Sequence, residues 1–251
     1  MNSFELESEI KKFYKKVAEH PEQEKVMLVG KNLAEQLGYP ADELDQIPRS
    51  VLESFAGIGY YFDIANIMGG ESVLVLGSGS GTDALLAGLK VGKTGKVLGI
   101  DMTPEQLSKA EDGEKKLEIE NVSFQRGMME SLGAHADLFD VVLSNGAINL
   151  SSHKSKVFEE IERVLRYGGR MAISLMTSTK TLPEHVRNDA SLWTCCMGGA
   201  LLEKEYLDMI NRAGLRIIHI KENPYFFSKA VKEIAQTFGI KSISILAEKL
   251  H

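Results

Sequence analysis

Ser72-Val73-Leu74-Val75-Leu76-Gly77-Ser78-Gly79-Ser80-Gly81-Thr82-Asp83 is the stretch on which the fold turns. An apolar, valine-containing run at 72–77 reads as a buried strand, and the apolar-periodic residues of 82–90 read as a helix. Three glycines, Gly77, Gly79 and Gly81, lie between them. Glycine there lets the backbone turn sharply and lets a ligand approach with no Cβ in the way. The next strand, 96–101, ends in Gly99-Ile100-Asp101. An acid about 20 residues past such a loop suits a bidentate hydrogen bond to ribose hydroxyls.

Outward from that unit, strands alternate with helices. Further strands are expected at 121–125, 139–144, 169–176, 215–221 and 242–248, with helices at 104–117, 154–166 and 203–213 and one near 227–238. This alternation predicts an α/β fold, a doubly wound and mostly parallel seven-stranded sheet covered on both faces. The last strand has the option of inserting antiparallel. Thr103-Pro104-Glu105-Gln106 predicts a helix start with a threonine cap, proline in the first turn and a capping box closed by Gln106. Upstream, 4–19 carries apolar residues at helical spacing. A second helix is expected over 22–37, ending at Gly38, with a short turn after Pro40. Residues 1–66 therefore read as a helical N-terminal lid and 67–251 as the cofactor-binding Rossmann-like domain.

Bulk properties narrow the function classes. The chain has 251 residues with interspersed charges and a net charge of −6, which argues against nucleic acid as a partner. No apolar run is long enough to span a membrane, and the opening segment lacks the apolar core of a secretory leader. The only cysteines are the neighbours Cys195 and Cys196, so no disulfide framework is expected and a cytoplasmic location is the simplest setting. His135, His153, His185 and His219 match no metal-ligand spacing, so no metal is expected.

The loop reads G-x-G-x-G and is followed by Thr82, where a dinucleotide fold wants its third glycine or alanine. That favours S-adenosylmethionine (SAM) over a nicotinamide cofactor, with an NAD-dependent oxidoreductase as the weaker reading. The run VLVLGSGSGTDALLAGLKVGKTGKVLGIDMTPEQL resembles the SAM-binding half of class I methyltransferases. More narrowly, it is similar to the arsenite methyltransferase family. The likeness continues through GYPADELDQIP, SNGAINLSSHKSKVFEEIERVLRYGGRMAIS and RNDASLWTCCMGGALLEKEYLDMINRAGL.

The resemblance implies that Gly77, Ser78, Gly79 and Gly81 contact the methionine and adenosine parts of SAM. It implies that Asp101 binds the ribose, that Met102, Met129 and Glu130 frame the adenine, and that Ser144 and Asn145 face the sulfonium. One departure is Val75, where the family carries an acid. The family's metalloid-binding cysteines are met by Ile58 in Gly57-Ile58-Gly59, by Gly146 in Asn145-Gly146-Ala147-Ile148-Asn149-Leu150, and by Cys196. Two of three soft ligands are thus missing.

The expected function is methyl transfer from SAM to a small molecule, with an organic acceptor favoured. A thiol- or metalloid-directed enzyme using Cys195 and Cys196 is the alternative, and a SAM-binding protein without catalysis a rival of another class. Methyl transfer from a sulfonium needs positioning and water exclusion more than acid–base groups. No catalytic residue is therefore assigned; Tyr14, His153 and Cys196 are the candidates. Tyr60, Tyr61, Asn149, Trp193 and Cys196 are the candidates for the acceptor pocket. Each has a structural alternative: helix-face packing for Tyr14, core packing for Trp193, and a small buried hydrophobe for the cysteines.

Overall fold

Continuous burial along the first strand, on both faces of the sheet, sets the two layers of the core. A computed structural model describes residues 2–24, 26–225 and 227–250. In β1 (Ser72–Leu76), Val73 and Val75 enter one buried cluster and Leu74 and Leu76 the other. Each such fully buried side chain contributes roughly 1.5–3 kcal/mol. β1 pairs in parallel with β2 (Lys96–Asp101) and β4 (Phe139–Asn145), and β2 with β3 (Val122–Arg126). β5 (Leu165–Ser178) is parallel to β4, and the two-residue β6 (Leu201–Leu202) pairs with β5. β8 (Lys241–Lys249) inserts antiparallel between β5 and β7 (Leu215–Glu222). The order is β3-β2-β1-β4-β5-β8-β7, so the expected seven strands gain an eighth, β6, beside that path.

The helices follow the sequence pattern with three differences. α1 (Ser3–Glu19) has the capping box that its sequence allows, Asn2 with Glu5. The expected helix 22–37 is instead a short 3-10 turn at Pro21–Gln23 and a separate α2 (Lys31–Leu37). Gly30 precedes α2 with φ +93°, a left-handed conformation that no helix continues through. Three four-residue turns follow, α3 (Ala41–Leu44), α4 (Arg49–Leu52) and α5 (Phe62–Ala65). α6 (Thr82–Val91) and α7 (Pro104–Leu117) begin as expected, yet Thr103 makes no side-chain cap and Gln106 closes no box. Gln106 Nε2 donates instead to the Tyr14 carbonyl at 2.9 Å, tying α7 to α1. The third difference is α9, which ends at Val164 because Leu165 already has extended backbone and opens β5.

The remaining helices are α8 (Ala147–Leu150), α9 (Lys154–Val164), α10 (Glu184–Arg187), α11 (Ala190–Thr194), α12 (Glu203–Arg212) and α13 (Lys232–Phe238). α1 lies against α7 and α11, at the edge where β1, β2 and β4 end. Arg170 on β5 makes a two-pronged ion pair with Glu71 and donates to the carbonyls of Ala65 and Asn66, anchoring the end of the N-terminal helices to the sheet. No helix among the described residues is long and apolar enough to cross a membrane.

Candidate active site

The ends of β1, β2 and β4 and the underside of α1 enclose a cavity of about 480 Å³, within the range of ligand pockets. Gly77, with φ +65°, forms its floor. A Cβ there would lie 2.1 Å from the Ala147 Cβ, so only glycine lets α8 pack against the loop. Ser78, Gly79, Asp101, Met102, Met129, Glu130 and Asn145 also line the cavity. Gly81 does not: a Cβ there would meet Ala110 and Phe124, so this glycine serves the packing of α7 and β3 against the loop. Ser144 also lies outside the wall, fully buried, its hydroxyl donating to the Leu76 carbonyl at 3.0 Å.

Asp101 fixes the loop as well as lining the cavity. Its carboxylate accepts from the backbone N–H groups of Gly79 at 2.9 Å and Thr103 at 2.8 Å. Burial raises its pKa, and those N–H bonds pull in the opposite direction.

A second cluster, unassigned from sequence, supports the neighbouring wall. Asp83 is buried, and accepts from the hydroxyls of Tyr39 and Tyr61 at 2.6 Å each and from Asn145 Nδ2 at 3.2 Å. Burial raises its pKa, against the pull of those three donors. Asn145 Oδ1 accepts from the N–H groups of Ile58 and Gly59, and its amide donates to the Gly59 carbonyl. The 57–59 loop is thereby clamped to the end of β4. An acid in the first turn of α6, directly after the glycine loop, was the available signal for Asp83; for Tyr39 there was none.

The candidate acceptor residues scatter. Tyr61 is fully buried in the Asp83 cluster, and Tyr60 is half-buried among Tyr39 and Phe62 with Lys221 over its ring. Neither lines the cavity. Asn149 is consumed in the core by the Met176 backbone and the Tyr206 hydroxyl. Trp193 donates to the Arg187 carbonyl and faces a separate cavity. Tyr14 does line the first cavity, its hydroxyl held on the Thr194 carbonyl at 3.0 Å, and His153 sits exposed at the rim of both cavities. Phe4, Leu6 and Ile10 add the apolar underside of α1, with Phe4 81% exposed at the mouth.

Positions 58, 146 and 196 meet in space. A Cβ on Gly146 would lie 3.3 Å from Cys196 Sγ and 3.4 Å from the Ile58 side chain, and Cys196 Sγ contacts the Gly146 carbonyl at 3.4 Å. Cys196 is buried and has φ +67°. Burial pushes its thiol up to about 12 and that of Cys195 up to about 11.

The family model for a methyltransferase domain matches residues 67–214. The chain belongs to the methyltransferase domain family. Its sequence is 38% identical over 187 residues to an arsenite methyltransferase of Halobacterium salinarum, covering 74% of this chain and 48% of that protein. The chain thus spans about half the length of the curated relatives it matches. Among solved structures, CrArsM, an arsenic(III) SAM methyltransferase from Chlamydomonas reinhardtii, aligns with a TM-score of 0.66 and 30% identity, over 89% of this chain and 75% of that one. The [4+2]-cyclase SpnF shares the fold, with a TM-score of 0.62 at 16% identity over 75% of this chain and 78% of its own. The fold is that of class I, Rossmann-like methyltransferases, whose cofactor is SAM.

The cavity suits that cofactor. Gly77 and Gly79 bring bare backbone to its wall and Asp101 brings a carboxylate, and hydroxyl and carboxylate residues Ser78, Thr82 and Glu130 stand beside the apolar Met102 and Met129, a mixture that matches a nucleoside with an amino-acid tail.

Proposed function

We propose that this chain transfers a methyl group from SAM to a small organic acceptor bound beneath the N-terminal helices. When bound, the cofactor supplies a methyl group on a sulfonium, released to the acceptor as S-adenosylhomocysteine forms. Gly77, Ser78 and Gly79 would hold its methionine and adenosine parts, Asp101 its ribose, and Met102, Met129 and Glu130 its adenine. Asn145 holds the 57–59 loop and faces the reacting end. Residues 1–66 would act as a lid over the 67–251 domain, with Leu6, Ile10 and Tyr14 excluding water from the cavity.

The acceptor reading rests on one observation: where positions 58, 146 and 196 converge, only one carries sulfur. Isoleucine fills the space that a second thiolate would need, and Gly146 offers no side chain. The two remaining thiols are buried and protonated at neutral pH, whereas a metalloid is bound by thiolate. A metalloid acceptor held by Cys195 and Cys196 is the second reading, favoured by the names of the relatives.

Incubation with SAM and arsenite, followed by mass spectrometry of the arsenicals, separates the two. Wild-type protein is expected to give no methylarsenical above the enzyme-free control. Arsenite methylation by the wild type that disappears in Cys196→Ser would overturn the organic-acceptor reading.

A further inference from the structure

Beside the cofactor cavity lies a second one of about 580 Å³, and the two share walls at Ser3, Leu6, Ser152 and His153. Its lining carries Lys154, Lys156 and Arg187, and no aspartate or glutamate among the described residues. In a chain of net charge −6, three cations without a carboxylate around one cavity is a local reversal of sign.

Lys154 is the built part of this wall. It is 7% exposed, makes no ion pair among the described residues, and donates to the Ser151 carbonyl at 2.7 Å. Its ammonium sits 4.9 Å from the centre of the Trp193 ring. The indole is itself fixed: its Nε1 donates to the Arg187 carbonyl at 2.6 Å, and a Cβ at Gly198 or Gly199 would collide with the ring. Leu201 and Met209 give the cavity an apolar side. A buried basic group with no ion-pair partner in contact is costly to charge, and an anion placed against it would offset that cost.

We infer that this second cavity binds a small organic anion, its carboxylate or phosphate group against Lys154, Lys156 and Arg187 and its flat apolar body against Trp193. Resting on the methyltransferase reading, it is the anchoring subsite of the methyl acceptor. The acceptor's nucleophile then reaches past Ser152 and His153 into the cofactor cavity. This geometry gives the acceptor a handle remote from the transferred methyl, so binding energy at the anion positions the nucleophile.

Trp193 is the only tryptophan of the chain, so its emission reports on this cavity alone. Benzoate, phenyl phosphate and the neutral benzamide are titrated while that emission is followed, with SAM binding measured by calorimetry on the same sample. The anions are expected to give a saturable change and benzamide none, the tighter anion identifying carboxylate or phosphate. The exposed double variant Lys156→Ala/Arg187→Ala is expected to weaken anion binding at least about tenfold, equivalent to roughly 1.4 kcal/mol. No saturable response to either anion at millimolar concentration, or an equal response to benzamide, overturns the inference. SAM binding with no anion response removes this subsite and leaves the cofactor reading standing. Anion binding without SAM binding does the reverse for the cofactor reading.

Discussion

Asp101→Ala is expected to weaken SAM binding by roughly two orders of magnitude, about 3 kcal/mol, read by calorimetry. Two charge-assisted hydrogen bonds to a ribose are worth that much when both are lost in a water-poor wall. The same carboxylate holds the N–H groups of Gly79 and Thr103, so its removal also loosens the glycine loop. A thermal shift downward by a few degrees should accompany the affinity loss, since a buried backbone donor left unpaired costs about 1–3 kcal/mol. The pH profile follows from the same site. Because burial raises the Asp101 pKa, SAM affinity should fall on acidification at a higher pH than an exposed aspartate would dictate. Unchanged affinity in Asp101→Ala would remove this residue from the cofactor site.

Lys154→Met should have the opposite sign on stability. Burial lowers the Lys154 pKa to about 7, with the charge of the nearby Glu130 opposing the shift. Below pH 7 the folded chain carries a buried ammonium, and the penalty is felt in full. Between pH 7 and the ordinary lysine value of 10.5, only the unfolded chain is protonated, so the penalty shrinks as pH rises and vanishes above it. Methionine keeps the length and apolar stem while removing the charge, though it loses the bond to the Ser151 carbonyl. The net gain should be of order 2–3 kcal/mol near neutral pH, or roughly 5 °C or more in Tm for a chain of this size. Urea unfolding of both proteins at pH 6.5, 8.5 and 10.5 tests this: the difference should be largest at the lowest pH and close towards the highest. A variant less stable than wild type at pH 6.5 would show that Lys154 bears no desolvation penalty. A residue that costs stability and lines a cavity is the mark of a site kept for binding.

Much of this was legible in local pattern, because β1 and its loop are short-range features. Alternation of Val73, Leu74, Val75 and Leu76 sets both faces of the sheet, and Gly77 and Gly79 announce the cavity floor. Other properties depended on where separate segments meet. Tyr60 and Tyr61 are adjacent and turn to different neighbours, Tyr61 reaching a buried carboxylate on α6 that its own sequence gives no hint of. Lys154 opens α9, and its place under Trp193 from α11 is set by a segment about forty residues away. Gln106 had the spacing of a capping box, but the Tyr14 carbonyl on α1 offered a tertiary partner instead. The helix expected over 22–37 was interrupted by the left-handed Gly30, a turn whose cause lies in its contact with the Phe55 carbonyl. The meeting of Ile58, Gly146 and Cys196, which bears most on the acceptor, came from three distant segments.

The most direct measurement is a calorimetric titration of the purified wild-type chain with SAM, S-adenosylhomocysteine and NAD in parallel. SAM and S-adenosylhomocysteine should each bind at one site per chain with micromolar affinity, and NAD should give no heat. Binding of NAD with no response to SAM would contradict the assignment of the Gly77–Asp101 cavity and the function built on it.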